Sequence, residues 1–285
     1  MTDAPIDTFS PQEYLEYLQH TYYGRHLPPF AAEVGDVLAA NILASLPPEH
    51  RKQLDRIAIG VLPTKSINAW VRPVPSGGEV ISFDFGILSF MLALNKILLS
   101  RIALFGFEPT LEFHMAAKRA VATVHSFYSA TEELPRLTVA PRKMLVASSI
   151  SNVQSSFIVG HELGHILLGH FRKYSPEAPP DHPHAEEFGA DSRGAELVIS
   201  AFRRIQDPLF GTSESALGQA GIDIFFTYMI FMERVLNTTE IESPTHPSSK
   251  DRQRKLRDRF WGELPENARE LATVAEKTFE AFAGA

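Results

Sequence analysis

The sequence predicts an α+β fold that is predominantly helical, with one small β-sheet. Three observations lead there. Long stretches place apolar residues at helical spacing, as in Tyr14, Leu15 and Leu18 and again in Leu88, Met91 and Leu92. A short block from Arg56 to Phe85 reads instead as strands punctuated by the turn Pro75-Ser76-Gly77-Gly78. Hydrophobic residues make up 44% of the 285, enough to bury a sizeable core as one large domain or two small ones.

Composition then narrows the function classes. With 27 basic against 34 acidic residues the net charge is −7, which argues against a nucleic-acid footprint. The chain has no cysteine, so disulfides, thiolate metal ligands and a cysteine nucleophile are excluded, and a metal site must use nitrogen and oxygen donors. The start MTDAPIDTFSPQEYLEY lacks a basic segment followed by an apolar run. The apolar stretch from Gly86 to Phe107 is interrupted by Asn95, Lys96 and Arg101, and Gly221 to Met232 is too short to span a bilayer. A soluble, cytoplasmic protein with no integral membrane segment is the expectation.

In chain order, residues 11 to 56 read as helical, with Ala31, Val34, Leu38 and Ile42 as a second apolar series and breaks at Leu27-Pro28-Pro29 and Leu46-Pro47-Pro48. Strands are expected over Arg56 to Leu62, Ile67 to Val74 and Glu79 to Phe85, the last two forming a hairpin whose edge could receive an extended peptide. Gly86 to Tyr128 reads as continuous helix, with His114 and His125 as packing residues. Thr131 to Val146, with Pro135 and Pro141, is expected as loop or short strand, and Lys173 to His184 as a proline-rich connection. A helix follows from near His184, with Asp181 as cap and Pro183 in its first turn. Gly221 to Leu236 is a strongly apolar helix, Ser243 to Pro247 a turn, and Ser248 the cap of a charged helix whose basic face is solvated.

The chemistry concentrates in Ser155 to His170, SSFIVGHELGHILLGH, which contains H-E-x-x-H. On a helix His161 and His165 lie about 40° apart, so both imidazoles can converge on one metal ion. Glu162, one position on, suits a carboxylate that takes a proton from water without ligating the metal. Phe157, Ile158, Leu163, Ile166 and Leu167 make the surroundings apolar, so the polar groups require a reason to be there.

A third protein ligand is needed. His170 lies about 140° from His165 on a continuous helix. The H-E-x-x-H-x-x-G-x-x-H pattern fails because Leu168 and Phe171 stand where it requires glycine and histidine. His182 and His184 are available from a loop. Glu187 fits better, because a helix can hold its carboxylate while Asp191, one turn on, reaches a ligand histidine's other nitrogen. Glu186 faces about 100° away and is expected at the surface. Nitrogen and carboxylate donors favour Zn2+, one ion per chain.

Four blocks carry a resemblance: the H-E-x-x-H helix, EEFGADSRGAEL (Glu186 to Leu197), THPSSKDR (Thr245 to Arg252), and INAW with GGEVISFDFGIL (Ile67 to Leu88). In order and content they resemble gluzincin metallopeptidases of the HtpX and CAAX prenyl endopeptidase family. The resemblance implies a zincin catalytic domain whose small sheet borders the active-site cleft with an edge strand. It implies His161, His165 and Glu187 as zinc ligands, Glu162 as general base and Asp191 as the support of a ligand histidine. His246 and Asn68 would lie near the scissile carbonyl, and the substrate would be a protein or peptide.

The expected organisation is an N-terminal helical segment over 1–56, a zinc metallopeptidase domain over 57–262 with a helical insertion at about 89–150, and a C-terminal helix over 263–285. Many members of the family are embedded in membranes, whereas no transmembrane helix is expected here. The long interval between Leu88 and His161 suits a latent or regulatory peptidase that cleaves a specific protein. The rival from another class is a non-catalytic, zinc-supported module that binds a peptide or protein.

Overall fold

The computed structural model describes residues 8–23, 37, 40, 46, 51, 54–62, 64, 66–104, 106, 108–129, 137–170, 183–204, 213–237 and 246–285. The chain divides into two compact units, residues 1–87 with 156–204 and residues 88–155 with 205–285. The expected class holds: helices predominate, with a single three-stranded sheet among the described residues.

In the first unit, α1 (Pro11–Tyr23) opens with a reciprocal cap. The backbone N–H of Glu13 donates to Ser10 Oγ (3.3 Å), while the Glu13 carboxylate accepts from the Ser10 N–H (2.8 Å) and Pro11 fills the first helical position. Its buried Leu15 and Leu18 pack on Ala58, Leu62, Val74 and Val80. Gly60 permits that approach, since a Cβ there would stand 2.6 Å from a Leu15 methyl.

The sheet has the order β1-β3-β2, with β1 (Ile57–Leu62) parallel and β2 (Ala69–Pro73) antiparallel to the central β3 (Glu79–Asp84). Val80 to Phe83 are fully buried, as a covered central strand requires. The β2–β3 turn places Gly77 and Gly78 at φ +92° and +96°, which only glycine adopts without strain.

Two helices run through both units. Helix α2 (Phe85–Arg101) is buried nearly all round, with Phe90, Met91, Leu94, Ile97, Leu98 and Leu99 at most 1% exposed. The expected continuous helix to Tyr128 is instead broken before α3 (Phe113–Ser129), in a segment containing Gly106 at φ +76° and Pro109. The chain there is held by side chains. Lys143 Nζ donates to the Ile102 and Glu108 carbonyls (2.6 and 3.3 Å), and Arg101 donates to the Leu111 carbonyl (2.5 Å). His114 and His125 are exposed on α3, so they are not the packing residues that the apolar neighbours suggested.

Helix α4 (Pro141–Leu167) runs 27 residues, far longer than the motif-bearing stretch suggested. Pro141, read as a loop residue, occupies its first turn, where the missing N–H costs nothing. Helix α5 (Pro183–Arg204) likewise starts on a proline, near the expected position. Of the helix over Ala31 to Ile42 only Val37 and Ala40 are described, both helical; the proline-rich connection through His182 with the Asp181 cap and the turn from Ser243 to Thr245 lie outside the described residues.

The second unit adds α6 (Ser213–Gly218), α7 (Gly221–Val235), α8 (Ser249–Phe260) and α9 (Glu266–Ala283). Ser248 caps α8 as expected, its Oγ accepting from the Asp251 N–H at 3.1 Å. Phe279 of α9 packs edge-on against Tyr228, Phe231 and Phe282. Arg257 forks onto both oxygens of the buried Asp223 (2.6 and 2.7 Å) and reaches Glu276 (2.9 Å). Burial pushes the Asp223 carboxyl up against the opposing pull of Arg257. Among the described residues no helix is long and apolar enough to cross a membrane.

Candidate metal centre

The C-terminal part of α4 and the start of α5 meet at glycines. A Cβ on Gly164 would stand 2.7 Å from the Ala190 carbonyl, and one on Gly194 would stand 2.7 Å from the His161 nitrogen. Gly160 faces the Gly194 carbonyl with little more room, at 3.1 Å. Small residues spaced four apart on both helices, Gly160 and Gly164 against Ala190 and Gly194, therefore bring the two backbones into contact. Side chains beside that contact are within reach of one another.

What the contact brings together is His161, His165 and Glu187, the group of histidine and carboxylate side chains able to hold one metal ion among the described residues. The Nε2 atoms of the two histidines are 3.2 Å apart, and the Glu187 oxygens stand 3.5 Å from His161 Nε2 and 3.4 Å from His165 Nε2. Ligands about 2.0–2.1 Å from a tetrahedral ion stand about 3.3–3.4 Å from each other, so the donor atoms already have the spacing of a coordination shell. The alternatives for third ligand separate accordingly. His184 is half-buried at the start of α5 and outside this group, His182 lies outside the described residues, and Glu186 is half-buried rather than exposed.

The far sides of the two imidazoles are also engaged. His161 Nδ1–H donates to Asp191 Oδ1 at 2.9 Å, and Asp191 is only 1% exposed. That bond fixes the tautomer, leaving a lone pair on Nε2. His161 Nε2 and the Glu187 carboxylate thus face each other inside a buried pocket, and a cation shared between them would be held by both. His165 Nδ1 stands 2.9 Å from His170 Nδ1.

On a continuous helix His170 would face about 140° away from His165, yet α4 ends at Leu167 and Gly169 stands at φ +71°. The glycine just past an apolar helical run was the sign of that stop. Glu162, beside His161, is half-buried. Asn68 is exposed at the start of β2, its Oδ1 accepting from the Ala69 N–H and its carbonyl from the Asp84 N–H. His246 is exposed and precedes the buried Pro247 in the second unit.

Comparison with known families decides what kind of protein carries this centre. The family model described as Peptidase U49 matches residues 112–272, more than half of the chain. The chain belongs to the peptidase U49 family. The matched span includes His161, Glu162, His165, His170, Glu187, Asp191 and His246, and leaves Asn68 outside. Membership makes this peptidase U49 chain a hydrolase acting on protein or peptide. No curated protein and no solved structure matches it.

Proposed function

We propose that this peptidase is a zinc-dependent metalloendopeptidase that works in the manner of the gluzincins it resembles. The observation that carries the proposal is the set of three donor-atom separations, 3.2, 3.4 and 3.5 Å, in a chain of a peptidase family. His161, His165 and Glu187 would hold the ion. When bound, zinc supplies Lewis acidity, polarising a carbonyl and acidifying a water molecule.

The remaining work belongs to the chain. Asp191 holds the His161 ring by accepting its Nδ1–H, which directs Nε2 to the ligand group. Glu162 takes the proton of the attacking water on its carboxylate and delivers it to the amine nitrogen as the peptide bond breaks. The resemblance gives Asn68, whose Oδ1 accepts from the Ala69 N–H, and His246 to the developing oxyanion. The substrate is an extended protein segment, and the exposed edge of β2 is the surface it would pair with.

The test is cleavage of a disordered protein by the zinc-loaded chain, with Glu162→Gln beside it. The variant should keep one zinc per chain and lose cleavage by at least about 100-fold, the contribution of a positioned general base. Undiminished turnover in Glu162→Gln would assign the proton transfer to another group. Zinc-loaded wild type that cuts no substrate would instead favour a binding role.

A further inference from the structure

We propose that His170 is a positioning residue for His165, so that the working motif of this chain is H-E-x-x-H-x-x-x-G-H and not H-E-x-x-H alone. This rests on the metal-centre reading above and adds to it the means by which the second ligand histidine is held.

Three observations support it. The two Nδ1 atoms are at hydrogen-bond distance, 2.9 Å, with the rings edge to face at 72°. His170 is 7% exposed, so its ring is taken out of water, and a buried imidazole must find partners for its nitrogens. The backbone is shaped to put it there. Helical continuation past Leu167 would carry residue 170 about 140° away from His165. Gly169, left-handed at φ +71°, breaks that path, and the His170 ring stands against His165. On its other side the ring lies against Gly189 of α5, where a Cβ would stand 3.6 Å from His170 Cε1 and 3.9 Å from Nε2. The imidazole is therefore seated between α4 and α5 with Nδ1 aimed at His165.

The tautomers follow from the ligand role of His165. Its Nε2 must present a lone pair beside Glu187 and His161, so its single proton sits on Nδ1 and is donated to His170 Nδ1. His170 then carries its own proton on Nε2. The two ligand histidines are held by different chemistry: a carboxylate on His161 and a neutral imidazole on His165. Truncating such a partner loosens the ligand ring's orientation and lowers its donor strength without removing any atom from the metal.

The experiment measures the zinc dissociation constant of the full chain by competition with a chromogenic chelator, for wild type, His170→Phe, His170→Asn and His161→Phe. His170→Phe keeps the bulk and removes the acceptor, and should weaken zinc binding by about 10- to 100-fold. His170→Asn places Oδ1 near the position of Nδ1 and should restore most of the affinity, a rescue that a mere packing role would not give. Wild-type affinity in His170→Phe, while His161→Phe loses zinc, would overturn the role of His170 alone. Full zinc retention in His161→Phe would overturn the metal centre itself. Should His170→Phe fail to fold, the imidazole 15N shifts of zinc-loaded wild type decide the matter: a His170 protonated on Nε2 supports the proposal, and one protonated on Nδ1 overturns it.

Discussion

Helix α4 carries two buried polar clusters, one in each of its halves, and they are built on opposite principles. In its N-terminal half Ser151 and Gln154 join Asn95 of α2 and Tyr228 of α7. The Tyr228 hydroxyl donates to Asn95 Oδ1 (2.7 Å), and Asn95 Nδ2 donates to Ser151 Oγ and Gln154 Oε1 (both 2.9 Å). Donor meets acceptor at each step, and Gln154 Nε2 is the one buried atom of this cluster left without a partner. In the C-terminal half the Nε2 atoms of His161 and His165 and the Glu187 carboxylate converge on one point, 3.2 to 3.5 Å apart. A cluster whose donors meet acceptors stabilises the fold, whereas one that gathers imidazole nitrogens and a carboxylate is able to ligate a cation. Burial and polarity alone do not distinguish the two; the matching of donors to acceptors does.

Metal removal should break the comparison most strongly. Chelation, or Glu187→Ala, should abolish stoichiometric zinc and cleavage, and wild type saturated with zinc at about 1,000 times its dissociation constant should gain about 4 kcal/mol over the apo chain, read from thermal melts. Zinc that stays at one equivalent in Glu187→Ala would remove that residue from the ligand set. Next comes the helix contact. Gly194→Ala puts a methyl into the His161 backbone, and should cost about 1–3 kcal/mol of stability and weaken zinc binding together. Stability lost with zinc affinity intact would show that the crossing supports the fold without setting the ligands.

The self-satisfied cluster should respond in the opposite way. Asn95→Leu leaves the buried Tyr228 hydroxyl unpaired and should cost about 1–3 kcal/mol in denaturant unfolding while one zinc per chain remains bound. Zinc loss in that variant would erase the distinction between the two clusters. The smallest effect concerns Lys143, whose burial pushes its ammonium below the ordinary lysine value. Between that lowered value and the unfolded one the unfolded chain binds more protons, so stability should rise as pH climbs through this alkaline window. Lys143→Met should lack that slope. Equal slopes in the two proteins would show that Lys143 titrates as it does in the unfolded chain.

Much of the site was legible because its spacings are local. His161 and His165 lie four apart on a helix, Glu187 and Asp191 lie four apart on the next, and the turn at Gly77-Gly78 sets the β2–β3 hairpin. Errors came where one residue type serves two ends. Pro141 opens a helix where the sequence suggests a loop or short strand; Pro109 and Gly106 interrupt a stretch whose apolar spacing continues straight through. His114 and His125 sit among apolar residues in the chain, of which Ala116, Ala117 and Val124 are buried while the imidazoles are exposed.

By itself the sequence determined the helical class, the strands, and which side chains could ligate, since these follow from periodicity and from the donor chemistry of each residue. It could not determine that α4 and α5 touch at Gly160, Gly164, Ala190 and Gly194, nor that His170 returns to His165. Both depend on where the backbone goes after Leu167 and on how closely two helices approach. Those are properties of packing between distant segments, and only the tertiary structure fixes them.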